Sequence, residues 1–365
     1  MKNKTILFDL QLSSFNSKGD IIYKSDSNYI FMRGLVNAIK DDYNVVLLSP
    51  IKDKTLTKDV ILVDYGRDYY DARFYYDWKN VERCILEYSP DLIWTNNPIW
   101  VQFYISSLRI LKKDIPIITY NHYIDLPGAE KYDAKHSVSF LQIDGMTRAN
   151  LTLVNSEYGK KLVVQGMEKL LGKCNIINQI YSFPPPCLDY IQTDIHENYI
   201  VYNHRLSPTP YYKTAIDRFE QIIKRYPIEV IFTNPSHKDT LDFSFNHRYV
   251  EINEFRDYLD LLSKSLLSIS CIFDKGAQWS MSLVDSIACR LPVLIPNVPG
   301  YVEIVPSDYP YFYETNGECI SKFEDICKNH SSHIEKMNVY AKYVIDSYGL
   351  SKTRDRFNNI VGLVI

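Results

Sequence analysis

No apolar run in the sequence reaches the roughly 18 residues that a membrane-spanning helix needs, so no transmembrane segment is expected. Glycine is scarce, with 13 residues in 365, and no G-x-G-x-x-G or P-loop motif occurs, which argues against dehydrogenases and ATPases that use those motifs. The seven cysteines form no C-x-x-C pair and no tight cluster with histidine, so we expect neither a disulfide framework nor a zinc site. A net charge of −3 argues against a global basic field that would attract nucleic acid or anionic lipid.

The N-terminal residues also lack the long apolar core of a signal peptide, because residues 1–12 have the pattern of a strand. Without a disulfide framework, this predicts a cytoplasmic protein with reduced thiols. Tyrosine (30 residues), lysine, asparagine and isoleucine are plentiful. Their codons are rich in A and T, which indicates a bacterium or a phage; for a phage protein the compartment would be the host cytoplasm.

The sequence does contain enough apolar residues for a sizeable core, at 46% of the total, and its length suggests two domains. The first half alternates short apolar runs with segments of helical periodicity. The runs that we predict to be strands are 5–10, 44–49, 60–63, 91–95, 115–120 and 151–154. Short apolar strands separated by helices predict a parallel sheet covered on both faces.

The pattern breaks near Ser182, because Phe183 is followed by three prolines that neither a helix nor a central strand accommodates. Beyond them the alternation resumes, with strands predicted at 199–202, 228–232, 266–272 and 292–295. The division is therefore an N-terminal domain at 1–181, a linker at 182–197, a C-terminal domain at 198–345 and a C-terminal helix at 346–365 that packs back on the first domain. Two doubly wound α/β domains would bind ligands at their strand carboxyl ends, in a central cleft.

The most informative segment spans residues 276–305, where a loop leads into a helix near Ser280 to Ser282. Free backbone N–H groups at a helix N-terminus suit a phosphate. Asp285, expected in the first turn of this helix, is placed to accept hydrogen bonds from a ribose diol. The alternative interpretation is an ordinary loop-helix-strand unit in which Asp285 only complements the helix dipole.

This segment resembles the donor-binding segment of GT-B glycosyltransferases of the group-1 type (family four), in a divergent form similar to that of phage enzymes. Asp285 falls on the second Glu of the motif E-G-F-G-L-x-x-x-E-A-M-A-x-G-x-P-V-I, and residues 300–305 match the end of the G-G-x-x-E-I-V that follows. The first Glu of the motif is replaced by Ala277, which leaves the donor sugar open. The resemblance implies a GT-B fold, with two Rossmann-like domains facing a cleft, and a donor site that includes Trp279, Ser280, Met281, Ser282 and Asp285.

A second matching segment follows the strand at 199–202. The family carries G-R-L-x-x-x-K-G there, and its cations hold the nucleotide diphosphate. Arg205 matches the Arg, and Lys213 is the nearest candidate for the Lys, at a longer spacing. Two cations at a strand end would neutralise a departing diphosphate. His204 has no counterpart in the family motif, and we expect a structural histidine with its hydrogen bonds satisfied.

Polar residues also follow two strands of the first half. His122 and Asp125 come after the strand at 115–120, where many group-1-type enzymes place a His, and they are the catalytic candidates: His122 to hydrogen-bond the sugar or acceptor, and Asp125 to orient it or the acceptor. Asn96 and Asn97 follow the strand at 91–95. Together with Tyr123, they are the acceptor-side candidates.

The predicted function is transfer of a sugar from a nucleotide-diphosphate sugar, preferably a UDP-sugar, to an acceptor hydroxyl. The resemblance implies a retaining reaction with no metal and no cofactor, the nucleotide sugar being a co-substrate; no protein partner is predicted. The preferred acceptor is a hydroxymethylated pyrimidine in phage DNA, which local basic patches at 109–113 and at Arg148, Lys160 and Lys161 could bind through phosphates. The alternatives are a bacterial surface-polysaccharide glycosyltransferase with a glycan or lipid-linked acceptor, and a catalytically inactive module that binds sugar or nucleotide.

Overall fold

The structure, a computed structural model, describes residues 4–12, 24, 26–63, 76–122, 124–129, 138–172, 179–204, 210–233, 243–272 and 276–365, except for the side chains of 210–214. The chain divides into two compact units. Unit 1 comprises Met1–Leu188 and Leu350–Ile365, and unit 2 comprises Asp189–Gly349.

Unit 1 is built on a sheet of seven parallel strands in the order β3-β2-β1-β4-β5-β6-β7. The strands are β1 (Thr5–Asp9), β2 (Asn44–Ser49), β3 (Asp59–Leu62), β4 (Leu92–Thr95), β5 (Ile117–Asn121), β6 (Leu151–Val154) and β7 (Ile180–Ser182). The helices are α1 (Ser27–Ile39), α2 (Trp78–Tyr88), α3 (Val101–Leu111), α4 (Val138–Arg148), α5 (Glu157–Leu171) and α12 (Leu350–Val361), with a 3₁₀ turn at Pro98–Trp100. The strands predicted at 44–49 and 151–154 are confirmed to the residue.

The two faces of this sheet pack on different helices because side chains alternate along each strand. On one face, Phe8 and Trp94 share a core with Phe31 of α1 and Phe357 of α12. On the other face, strand residues such as Leu7 and Ile93 pack on α2 and α3. Because this parallel sheet is buried on both faces, its strands are continuous apolar runs in the sequence.

The linker predicted at 182–197 is part of unit 1 for its first seven residues, 182–188. Ser182, expected to begin the linker, is the last residue of β7, where it pairs with Val154. Phe183 is fully buried against Trp94, at 5.5 Å between ring centroids, and Pro186 lies against Gly34 of α1. The division between the units falls after Leu188, because these apolar side chains bind the segment to the core of unit 1.

Unit 2 has a second parallel sheet, of six strands in the order β10-β9-β8-β11-β12-β13. Its strands are β8 (Tyr199–Tyr202), β9 (Glu229–Phe232), β10 (His247–Tyr249), β11 (Leu267–Ile269), β12 (Val293–Pro296) and β13 (Phe312–Tyr313). Its helices are α6 (Pro210–Ile223), α7 (Phe255–Lys264), α8 (Met281–Ala288), α9 (Pro299–Val302), α10 (Asn316–Lys328) and α11 (His330–Tyr348). In both units the strand order reverses beside the first strand, as in doubly wound α/β folds, whose ligands bind at the carboxyl ends of the strands at that reversal.

Candidate functional site

The reversal point of unit 2 lies between β8 and β11, and the segment around Trp279 follows β11 at this edge. Helix α8 begins at Met281, and Ser280 is its N-cap in an extended conformation (φ −124°, ψ 116°). The Ser280 side chain makes no capping hydrogen bond, and residues 279–282 are partly exposed. The first N–H groups of a helix have no partner within the helix, so this terminus can accept an anion such as a phosphate.

Asp285 lies further along its helix than the sequence analysis predicted. The expectation of a first-turn residue is wrong, because Asp285 is the fifth residue of a helix that begins at Met281, and the influence of a helix dipole falls off within the first turn. Its side chain is 7% exposed. Burial raises the pKa of Asp285 to about 7, and the nearby hydroxyl of Tyr258 acts against that rise.

Asn203 connects the elements around Asp285. Its Nδ2, which carries two hydrogens, lies within hydrogen-bond distance of three acceptors: the hydroxyl of Tyr258 (2.9 Å), the hydroxyl of Ser286 (2.9 Å) and the backbone carbonyl of Ser282 (3.0 Å). The Ser282 hydroxyl donates to the backbone carbonyl of Asn203 at 2.9 Å. The proton of Ser282, a donor-site candidate, is therefore used to bind α8 to the end of β8.

The loop before α8 is held by two close contacts. Trp279 packs edge-to-face on Tyr348, with centroids 4.4 Å apart, and the Tyr348 hydroxyl donates to the backbone carbonyl of Glu303 at 3.1 Å. Gly300 lies so close to the carbonyl of Ala277 that a Cβ atom there would come within 2.2 Å of the oxygen. Trp279 Nε1 is buried without a hydrogen-bond partner, so it is an available donor within the candidate donor segment.

Neither of the two expected diphosphate ligands has a described side chain. Arg205 lies outside the described residues, and Lys213 lies in α6 without a described side chain. Their neighbour His204 is 6% exposed, and burial lowers its pKa to about 4. The expectation that its hydrogen bonds are satisfied is wrong, because its Nε2 has no partner; the ring packs instead near Tyr202, at 5.6 Å between centroids.

In unit 1, His122 lies on the face of the sheet that packs against α1. Its ring contacts Phe31 and Tyr120 edge-on, each at 4.6 Å between centroids. Burial lowers the pKa of His122 to about 3, so the imidazole is neutral near pH 7. Its Nε2 has no hydrogen-bond partner, which leaves a neutral nitrogen next to the carboxyl end of β5.

Asp125 belongs to a different environment from His122. Its backbone N–H donates to Gln142 Oε1 at 3.0 Å, and its neighbours Ile124 and Leu126 pack in a cluster with α4 and α5. Within the described residues, no hydrogen bond joins His122 to Asp125. Tyr123, the third acceptor-side candidate, lies outside the described residues.

Asn96 and Asn97 lie at the reversal point of unit 1, between β1 and β4. The Asn96 backbone N–H donates to Asp9 Oδ1 (3.1 Å) and Asn97 Nδ2 donates to Gln11 Oε1 (3.1 Å). The pairing of Thr95 with Thr119 places Asn97 level with Asn121 of β5. We refer to Gln11, Asn96, Asn97 and Asn121 as the amide cluster.

The amide cluster contains polar atoms that the protein does not satisfy. Gln11 Nε2, Asn96 Nδ2 and Asn121 Oδ1 are buried without hydrogen-bond partners. Most buried polar atoms in proteins have a partner, either protein or water, so two donors and one acceptor at one sheet edge form a candidate site for hydroxyl groups. The sequence analysis missed Gln11, which comes shortly after β1, and Asn121, which is the last residue of β5.

Asp9 stabilises the amide cluster through a hydrogen bond with the Asn96 backbone. It is fully buried, and it accepts hydrogen bonds from the Asn96 backbone and from the Tyr104 hydroxyl (3.0 Å). Burial raises the pKa of Asp9 to about 6, against these hydrogen bonds, which lower it. A lone acid in an otherwise apolar strand is the signal that could have identified this residue in the sequence.

The basic patches occupy two different edges of unit 1. Residues 109–113 lie at the C-terminal end of α3 and just after it, and Arg148 is the last residue of α4. A crossover helix runs antiparallel to the strands of its sheet. Both groups therefore lie at the amino edge of the sheet, away from the amide cluster. Arg148 is also paired with Asp144 at 2.7 Å. Lys160 and Lys161 are the fourth and fifth residues of α5, which places them near the carboxyl edge.

Comparisons with known proteins identify the fold. No protein-family model and no curated protein matches the sequence. The structure of Anabaena HepE in complex with UDP-glucose is similar, with a TM-score of 0.70, 14% identity and coverage of 99% of this chain and 100% of that one. Sucrose-phosphate synthase from Thermosynechococcus elongatus has a TM-score of 0.73 at 11% identity, covering 99% of both chains. The lipopolysaccharide outer core galactosyltransferase WaaB has a TM-score of 0.59 at 12% identity, covering 99% of this chain and 100% of its own.

The chain has a GT-B fold. The expected fold class is thereby confirmed, with a seven-stranded and a six-stranded parallel sheet. The GT-B architecture assigns the two candidate sites to separate Rossmann-like units, the donor candidates to unit 2 and the amide cluster to unit 1. In the described parts of this GT-B chain, no helix combines the length and the apolar character that crossing a bilayer requires.

Proposed function

We propose that the protein is a glycosyltransferase that transfers a sugar from a UDP-sugar to a hydroxyl group. The proposal rests on the arrangement at the reversal point of unit 2. There the N-terminus of α8, which has no side-chain cap, and the buried carboxylate of Asp285 follow β11. These groups suit the phosphates and the ribose of one nucleotide. The group-1-type resemblance of residues 276–305 and the similarity to HepE, crystallised with UDP-glucose, support the same assignment.

In the proposed reaction, the bond between the sugar C1 and the β-phosphate oxygen breaks, and its electron pair leaves with UDP. A new bond forms from C1 to the acceptor oxygen, and the proton of that hydroxyl passes to a base or to the departing phosphate. Arg205 and Lys213 would offset the charge that accumulates on the diphosphate. The resemblance favours retention at C1 and no metal. His122, being neutral, can accept a hydrogen bond from the sugar or the acceptor hydroxyl.

For the acceptor we propose a glycan hydroxyl. The unpaired amide atoms of Gln11, Asn96 and Asn121 are neutral donors and acceptors, and amide side chains can both give and receive hydrogen bonds from hydroxyl groups. The basic patches at 109–113 and at Arg148 lie at the opposite edge of the sheet, where they would not guide an anionic polymer to this cluster.

A hydroxymethylated pyrimidine of DNA is the second candidate acceptor. It is favoured by Lys160 and Lys161, which do lie near the carboxyl edge of unit 1 and could bind backbone phosphates. The A/T-rich codon usage and the divergent form of the motif are consistent with a phage enzyme that modifies DNA.

The test is a matrix of donors and acceptors. The protein is incubated with UDP-, GDP- and ADP-sugars, each alone, with mixed oligosaccharides and with hydroxymethylated DNA, and nucleotide release and product mass are measured. UDP release that depends on oligosaccharide, with a matching mass gain, is the expected result, and Asp285→Asn is the control that should abolish it. DNA-dependent release would select the second acceptor. Tight UDP binding without any release would indicate a binding module.

A further inference from the structure

The last turn of α8 contains Asp285. The helix ends at Ala288, so its last four residues begin with Asp285. The Cys289 N–H donates to the Asp285 carbonyl at 3.1 Å, and this bond closes the turn. Helix ends fray, because the last carbonyl groups have no partners within the helix. The position of the Asp285 side chain therefore depends on how the end of α8 is fixed.

The backbone after α8 forms a Schellman motif. The Arg290 N–H donates to the Ile287 carbonyl at 2.9 Å, and the Leu291 N–H donates to the Ser286 carbonyl at 3.0 Å, which are the two bonds of this motif. Arg290 has the left-handed conformation that the motif requires, with φ 63°. Glycine usually occupies this position, because a Cβ atom makes the left-handed conformation unfavourable. An arginine here lowers stability unless its side chain compensates.

The Arg290 side chain fastens the end of α8 to a segment near the start of unit 2. Its Nη2 atom, which carries two hydrogens, donates to the Thr193 carbonyl at 3.0 Å and to Asp194 Oδ1 at 2.9 Å. Gln192 Nε2 donates in return to the Ala288 carbonyl at 3.0 Å. That carbonyl is one of the last four of the helix, so Gln192 satisfies a group that has no partner within α8. We refer to these three hydrogen bonds as the clasp.

The members of the clasp differ in their exposure to water. The Arg290 side chain is 17% exposed, whereas that of Asp194 is 90% exposed. An ion pair with an exposed member contributes little to stability, so the bonds that involve the Thr193 carbonyl and Gln192 should contribute more. The guanidinium also lies just beyond the C-terminus of α8, where the helix dipole favours a cation. These contacts compensate for the backbone conformation of Arg290, and glycine could not make them.

We propose that Arg290 is a positioning residue of the nucleotide site. The clasp holds the last turn of α8, and that turn holds Asp285 where its carboxylate can accept hydrogen bonds from a ribose. Arg290 acts through the backbone of α8 and needs no contact with the nucleotide. The inference rests on the proposed function, because it takes Asp285 as the ribose ligand. The first turn of α8 is fixed separately, since the Ser282 hydroxyl donates to the Asn203 carbonyl.

The experiment compares substitutions at position 290 that separate the side chain from the backbone. Arg290→Gly and Arg290→Ala both remove the bonds from the guanidinium, but only glycine adopts the left-handed conformation without a penalty. Arg290→Gly should therefore have the higher melting temperature of the two. Calorimetric titration well below both melting temperatures should show that each binds UDP-glucose about fivefold more weakly than the wild-type protein. Arg290→Lys keeps a cationic donor and should restore most of the affinity.

Two further variants complete the test. Arg225→Ala is the matched control, because it breaks another ion pair of unit 2, with Glu324 at 3.2 Å, and should leave UDP-glucose affinity unchanged. Wild-type affinity in Arg290→Gly, while Asp285→Asn weakens binding, overturns the role of Arg290 and leaves the proposed function intact. An affinity that follows the melting temperature, lower for alanine than for glycine at position 290, also overturns it, because lost stability then explains the weaker binding. Unchanged binding in Asp285→Asn overturns both.

Discussion

Gly300 lies against the backbone carbonyl of Ala277, and a Cβ atom at position 300 would come 2.2 Å from that oxygen and 2.9 Å from the Gln278 Cα. Both contacts are to backbone, which cannot rotate away as a side chain can. The glycine therefore sets the distance between the segment that begins α9 and the loop that precedes α8. Since that loop carries Trp279 and Ser280, the contact shapes the candidate donor site.

Gly300→Ala should displace the loop before α8, lowering the free energy of unfolding by more than about 2 kcal/mol and weakening UDP-glucose binding. Thermal melting and calorimetry measure the two effects. Gly317→Ala is the matched control, because a Cβ atom there meets only Thr315 Oγ1 at 3.9 Å. It replaces glycine within a helix and should be neutral or stabilising. Equal melting temperatures for the two variants would contradict the predicted clash.

The stability of the protein should depend on pH through Asp285. Its pKa is raised from 3.8 to about 7 in the folded protein, so the folded state holds this proton more tightly than the unfolded state. The associated stabilisation is fully present below pH 3.8 and is lost as pH rises through about 7, a change on the order of 4 kcal/mol. Asp285→Asn keeps the size and shape of the side chain and has no group that titrates in this range.

The difference in unfolding free energy between Asp285→Asn and wild type should therefore increase in favour of the variant between pH 4 and pH 8. Denaturant titrations of both proteins across this range measure it. A difference that stays constant with pH would show that Asp285 has an ordinary pKa in the folded state.

His122→Ala should lower kcat by about 100-fold, the contribution of a positioned polar catalyst, and leave UDP-glucose affinity unchanged, because His122 belongs to unit 1. Since the pKa of His122 is about 3, its titration should produce no inflection in kcat near pH 6.5. Rates are compared per folded molecule, since His122 also packs on Phe31 and Tyr120. A near wild-type kcat would assign His122 to the core alone. Asp125→Asn should cause a smaller loss.

Asn96→Asp tests the amide cluster with little change of shape. Asn96 Oδ1 accepts from Trp94 Nε1 at 3.0 Å, and the substitution keeps that acceptor while replacing the unpaired Nδ2 donor by an oxygen. The KM for the acceptor should rise about tenfold, the effect of one lost hydrogen bond, with UDP-glucose affinity unchanged. Asn338→Asp in unit 2, whose Oδ1 faces Arg290 at 3.4 Å, is the control. An unchanged acceptor KM in Asn96→Asp would remove Asn96 from the site.

The alternation of apolar runs and helices predicted both sheets, because strands buried on two faces have a strong local signal. Strands β7, β10 and β13 were missed; β7 has three residues, and its Ser182 was assigned to the linker. β10 is only partly buried and β13 has two residues, Phe312 and Tyr313, so neither produces a recognisable run. Helix α7 was also unassigned, and with it Tyr258.

For the candidate donor site, motif resemblance identified Asp285 but not what surrounds it. Asn203 meets Tyr258 across 55 residues of sequence and Ser286 across 83. Such partners are brought together by the order of strands in the sheet, and that order cannot be inferred from residue spacing along the chain. The depth of Asp285 within α8 was misjudged for a related reason: the helix begins where Ser280 turns out of the extended conformation, and a Ser-Met-Ser run fits more than one starting residue.

The return of α12 to unit 1 determines the order in which the protein can be completed during synthesis. Phe357 packs against Phe8 and Trp94, so the core of unit 1 contains side chains from both ends of the chain, and unit 2 is inserted between them. Domains generally fold as they emerge from the ribosome, but here the unit that starts first must finish last. Unit 2, which is one continuous segment, can become native while unit 1 still exposes the apolar surface that α12 will cover, and chaperone binding should be concentrated in that interval.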